Sequence, residues 1–145
     1  MRLVVNGDAT ELDARSDEML IDALRRAGFL SVRETCGIGV CGACTVLVDG
    51  DPISGCLLLA RAAESCEVTT VEGLGGDDPV QRAFASARAF QCGWCTPGMI
   101  LTAKALLAEK PSPSEDEIRV ALAGNLCRCG SYVKIVHAIK EAASG

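Results

Sequence analysis

The chain has 145 residues, 3% of them aromatic, and a formal charge of −5, enough for one domain or two small ones. The acidic balance excludes nucleic acid as a natural partner, because phosphate binding needs a basic face. No apolar run is long enough for a signal peptide or a membrane span, so the nine cysteines point to metal binding in a cytoplasmic protein rather than to disulfides.

Leu3-Val4-Val5 and Ala9 to Leu12 flank Asn6-Gly7-Asp8, whose Asn-Gly turn predicts a hairpin. Ser16 or Asp17 is placed to cap a helix with the apolar stripe Leu20, Ile21, Leu24 and Ala27, ending at Gly28. Thr45 to Val48, Asp49-Gly50 and the segment after Pro52 predict a second hairpin, and Val68 to Glu72 a further strand. Gly73 to Pro79 breaks this pattern. Beyond it the apolar period lengthens from two to about 3.6 residues, predicting helices.

Four are expected: Pro79 to Ala89, Pro97 to Glu109, Ser114 to Ala123 and Tyr132 to Ala143. Asp78 with Pro79, Thr96 with Pro97, and the box Ser114 to Glu117 mark three of the starts. The fold expected is α+β, with residues 1–75 forming strands curled over one helix and residues 76–145 a four-helix bundle. Each half has about 70 residues, a size at which a hydrophobic core alone is marginal and a metal is a common staple.

Eight cysteines fall into two groups. Cys36, Cys41, Cys44 and Cys56 read C-x4-C-x2-C-x11-C, the spacing of a plant-type [2Fe–2S] site. A loop carrying three ligands in nine residues needs unusual backbone angles and free N–H groups for sulfur, which Gly37, Gly39 and Gly42 supply. These glycines also match the dinucleotide fingerprint. That motif follows a strand and opens a helix, whereas here a helix precedes and a strand follows.

Cys92, Cys95, Cys127 and Cys129 read C-x2-C-x31-C-x-C. Each pair immediately precedes a predicted helix, where unpaired N–H groups favour anions and lower thiolate pKa values. Taken alone this group suits a second cluster, a zinc ion or a redox dithiol. Cys66 is left over and is expected to be a small buried hydrophobe. His137 is expected at a helix surface or core edge, Trp94 as packing around the second group, and Arg128 at a surface interface.

The blocks Cys36 to Gly50, Val68 to Leu74, Gln91 to Met99 and Asn125 to Cys129 together resemble the small iron–sulfur subunit of the molybdenum hydroxylases, the xanthine oxidase family. The resemblance extends over essentially the whole chain. It implies a ferredoxin-like (β-grasp) domain followed by a four-helix [2Fe–2S]-binding bundle. It also implies two [2Fe–2S] clusters on this chain, a molybdenum–pterin cofactor on a large partner subunit and FAD on a medium one, the complex being a dimer of heterotrimers.

By position, Cys92, Cys95, Cys127 and Cys129 would hold the cluster nearer molybdenum, and Cys36, Cys41, Cys44 and Cys56 the one nearer flavin. Gln91 and Cys129 would touch the pterin. The role implied is electron transfer, with no catalytic residue for substrate on this chain; the alternative is a free-standing two-cluster ferredoxin. One departure stands out. The family often has Thr-Gly after the last cysteine, where this chain has Gly130-Ser131; Ser131 is expected to cap the last helix.

Overall fold

The computed structural model describes residues 1–145. Asn6 and Gly7 take φ of 56° and 85°, which lets β1 (Arg2–Val5) fold back on β2 (Asp8–Glu11) with Val5 opposite Asp8. Asp49 and Gly50, at 51° and 91°, do the same between β3 (Thr45–Val48) and β4 (Asp51–Ser54). Positive φ at both central residues matches the right-handed twist of the flanking strands. β5 (Glu67–Thr69) joins the hairpins, parallel to β1 and antiparallel to β3, giving the sheet order β2-β1-β5-β3-β4.

Helix α1 (Leu20–Arg26) packs over this sheet, and Leu3, Val5, Leu20, Leu24, Val46 and Val68 share one buried core. Its start differs from expectation. Neither Ser16 nor Asp17 caps it; Met19 occupies the cap position without a side-chain bond. The first N–H groups are instead satisfied from a distant segment, Leu20 donating to the Leu58 carbonyl at 2.7 Å and Ile21 to that of Gly55 at 3.0 Å. Asp17 pairs with Arg15 at 2.9 Å, and Glu18 with Arg26.

The last strand is also shorter than expected, because Val71–Leu74 is a 3-10 turn. The Asn6 side chain takes the Thr70 N–H at 2.8 Å and donates to the Thr70 hydroxyl at 3.0 Å. That withdraws Thr70 from the ladder.

Four helices make the second half: α2 (Pro79–Ser86), α3 (Thr96–Glu109), α4 (Glu115–Ala121) and α5 (Tyr132–Ser144). α2 packs on α5 and α3, and α4 bridges α3 and α5. Phe84, Met99, Ile118, Ile135 and Ile139 fill a second core separate from the first. Capping boxes start α2 (Asp78 with Gln81) and α4 (Ser114 with Glu117).

Asp78 also pairs with Lys104 of α3 at 2.6 Å, its side chain only 11% exposed. One carboxylate therefore both caps α2 and ties it to α3. Asp78→Ala is expected to cost about 1–2 kcal/mol, and a thermal melt should show this as a fall in Tm of several degrees.

Candidate metal centres

Cys36 and Cys41 lie in the loop between α1 and β3, with Cys44 and Cys56 buried at the edge of the sheet core. Gly37, Gly39 and Gly42 all have φ near +70°. That curvature turns the N–H groups of Ile38, Cys41 and Val40 onto the Cys36 sulfur, and with the Cys41 thiol they hold its pKa down to about 6. Cys44 is pushed up to about 11 by burial and by the neighbouring Cys56. Cys36 thus has Cys41 as a neighbour, and Cys44 has both Cys56 and Cys41.

The second group lies where α3 and α5 begin. Cys95 and Cys127 are partly buried neighbours, while Cys92 and Cys129 are exposed. Burial and the adjacent Cys127 and Cys92 sulfurs push Cys95 up to about 12. Burial opposes ionisation of Cys127 too. Its neighbours outweigh that: the N–H groups of Ser131, Gly130 and Cys129 and the Cys95 thiol bring its pKa below the ordinary value. Ser131 N–H reaches the Cys127 sulfur at 3.5 Å, and Trp94 N–H the Cys92 sulfur at 3.5 Å.

A cavity of about 400 Å³ opens here, lined mainly by Cys41, Cys92, Trp94, Cys95, Cys127 and Tyr132. Both helices facing it lack side-chain caps. The cap position of α3 is Cys95, so Thr96 does not cap as expected. Ser131 precedes α5 but makes no capping bond either. The hydroxyls of Thr96 and Ser131 are buried without a partner in the protein. The two helices remote from the cysteines carry full capping boxes, whereas these two present open N-termini beside thiols, a favourable setting for an anionic metal–sulfur group.

These features fit the donor demand of [2Fe–2S] clusters, four thiolates each, arranged so that two bind each iron. Thiols with raised pKa values, such as Cys44 and Cys95, become thiolates when a cation displaces their protons.

The remaining predicted residues fall as follows. Gln91 donates through Nε2 to the Cys129 carbonyl at 3.2 Å, so the two positions expected at a pterin are adjacent. Trp94 lines the cavity and is 45% exposed. Its indole N–H donates to Thr35 Oγ1 at 2.8 Å, and the Arg33 guanidinium lies 4.8 Å from its ring centre. Arg128 lines the cavity mouth, and His137 is exposed on α5, 4.0 Å from Glu141. Cys66 is not the buried hydrophobe expected. It is partly exposed, and the neighbouring Asp49 carboxylate and burial raise its pKa.

Sequence reasoning missed Arg33, Thr35, Tyr132 and Asn125. Tyr132 accepts the Cys127 N–H on its hydroxyl at 2.7 Å. Asn125 joins the loop before Cys127 to the loop between Cys41 and Cys44. Leu126 N–H also donates to the Cys41 carbonyl at 2.8 Å. The two cysteine groups are therefore hydrogen-bonded neighbours.

The sequence profile of the [2Fe-2S] binding domain family matches residues 70–140. The small FeS subunit of nicotinate dehydrogenase from Eubacterium barkeri is 47% identical over 146 residues, spanning 98% of this chain and 93% of its own length. The small subunit of nicotine 6-hydroxylase from Paenarthrobacter nicotinovorans is 43% identical, spanning 95% of this chain and 86% of its own. Among solved structures, a chain of quinoline 2-oxidoreductase from Pseudomonas putida superposes with a TM-score of 0.94 at 43% identity, over 99% of this chain and 94% of that one.

Proposed function

The chain belongs to the small iron–sulfur subunits of the molybdenum hydroxylases, and from that premise we propose which residues carry its electron-transfer role and which partners it serves. Bound [2Fe–2S] clusters supply one-electron steps, between a molybdenum–pterin cofactor on a large partner subunit and FAD on a medium one. The observation that carries this reading is the gathering of eight cysteines into two adjacent groups, with Cys41 lining the same cavity as Cys92, Cys95 and Cys127 and hydrogen bonds joining the two loops.

Cys36 and Cys41 would hold one iron of the first cluster, and Cys44 and Cys56 the other. Cys95 with Cys127, and Cys92 with Cys129, would hold the second. Backbone N–H groups of Ile38, Val40 and Cys41 stabilise negative sulfur at the first site, and those of Gly130 and Ser131 at the second. Trp94 and Tyr132 line the second site beside its thiols.

Gln91 and Cys129 stand together at its exposed side, where the pterin would be met. Residues 1–75 serve as the ferredoxin-like domain and 76–145 as the four-helix cluster-binding bundle. No helix is long and apolar enough to cross a membrane. Nine unpaired cysteines suit a reducing compartment, so we place the complex, a dimer of heterotrimers, in the cytoplasm.

The partner reading is favoured over a free-standing ferredoxin by what surrounds the cysteine loops. Ile38, Val40 and Leu57 are 69%, 55% and 60% exposed, and the Leu57 side chain covers Gly39. With Phe90 and Leu126, they put apolar surface beside both sites, as expected of faces covered in an assembly.

Purified at native expression level, the chain should bring down two larger chains, one containing molybdenum and one FAD. The double variant Ile38→Asp with Leu57→Ser should lose at least one of them while keeping both cluster EPR signals. A parent chain that purifies alone with both clusters filled would support the free carrier instead.

A further inference from the structure

Asn125 is 5% exposed and lies between the two cysteine groups. Its Nδ2 donates to the Gly42 carbonyl at 3.2 Å and the Thr45 hydroxyl at 3.3 Å, and its Oδ1 accepts from the Thr102 hydroxyl at 3.0 Å. Thr45 in turn donates to the same Gly42 carbonyl at 2.7 Å. One buried amide therefore joins three elements: the first cysteine loop, the start of β3 and the middle of α3. Every bond it makes is to protein, and it touches no ligand position directly.

Two glycines allow this close approach. A methyl group at Gly98, near the start of α3, would collide with the Gly42 carbonyl oxygen, and one at Gly42 would collide with the Gly124 carbonyl oxygen. Gly42 lies between Cys41 and Cys44, Gly98 three residues after Cys95, and Asn125 two before Cys127. The network thus connects the chain segments that carry both sets of sulfurs.

A fully satisfied buried polar network specifies one geometry more sharply than apolar packing does. Electron transfer depends steeply on spacing, so the geometry specified here has a functional consequence. Resting on the ligand reading above, we propose that Asn125 is a positioning residue that fixes the distance between the two metal sites. Its side chain does so by clamping the Gly42 carbonyl against α3.

The test uses the native complex, chemically reduced so that both clusters are paramagnetic, and examined by low-temperature EPR. Magnetic coupling between two such centres falls with the cube of their separation and splits each signal. Asn125→Leu, which removes all three bonds, should narrow that splitting with iron content unchanged. Gly98→Ala, which keeps the Asn125 side chain but displaces the Gly42 carbonyl it holds, should narrow it too, and serves if the first variant fails to fold. Thr102→Val, losing one bond, should lie between parent and Asn125→Leu.

A role in stability alone would lower Tm and iron retention and leave the splitting of the filled protein untouched. Full iron and unchanged splitting in Asn125→Leu and Gly98→Ala overturn this proposal while the ligand reading stands. A parent protein without two cluster signals overturns both.

Discussion

Replacing Cys95 or Cys127 with alanine is expected to remove one of two EPR signals, lower bound iron by about half and unfold the helical half at a much lower temperature. The two thiols are neighbours on the less exposed side of the second site. On the proposed assignment, losing either would leave one iron with a single thiolate. The energetic consequence follows from size. A unit of about 70 residues has only a few kcal/mol of stability from its core, whereas structural metal sites contribute on the order of 10 kcal/mol.

The first site should be untouched, since Cys36, Cys41, Cys44 and Cys56 keep their own partners. Cys41→Ala is the mirror experiment and should remove the other signal. Cys66→Ala is the control, because that thiol belongs to neither spacing group and has Asp49 as its neighbour, and it should keep both signals. If both signals survived in Cys95→Ala and Cys127→Ala, the ligand assignment would be wrong.

Gly42→Ala is expected to be the most damaging substitution outside the cysteines. Gly42 has φ of +67°, which costs a residue with a Cβ roughly 1–2 kcal/mol. The added methyl would also collide with the Gly124 carbonyl oxygen and come within 2.6 Å of Asn125 Nδ2. Backbone cannot retreat as a flexible side chain can, so the buried amide network must open. The sum should reach about 3 kcal/mol or more.

Gly37→Ala isolates the first term, because Gly37 has the same φ of +67° and nothing within 4 Å of the added carbon. Thermal melts of the two variants with clusters in place should therefore differ by about 2 kcal/mol. Equal melting temperatures would show that the contact between the halves is softer than the packing implies.

Where the sequence carried a local code, the structure follows it. Asn6-Gly7 and Asp49-Gly50 make the turns, and Asp78 and Ser114 cap as their capping boxes require. These signals depend on neighbours within four residues. Where a distant segment supplies the partner, the local code fails. Ser16 and Asp17 lie before α1, yet the Leu58 and Gly55 carbonyls take its first N–H groups. Val71 and Glu72 look like strand, but Asn6 pulls Thr70 out of line.

Thr96 and Ser131 resemble caps and do not cap: Cys95 takes the cap position of α3, and at the start of α5 the Ser131 N–H reaches the Cys127 sulfur. The grouping of the cysteines was legible in their spacing, and Cys92, Cys95 and Cys127 do line one cavity. Asn125 was not, because its partner Gly42 lies 83 residues away and no short motif announces such a bond. Trp94 with Thr35, 59 residues apart, was hidden for the same reason.

The central claim is that thiolates of this chain hold two diiron clusters. Iron and acid-labile sulfide, measured per chain on native protein isolated without oxygen, test it most directly. The account predicts two irons and two sulfides for each of two clusters. Zinc in place of iron, or the absence of labile sulfide, would contradict it.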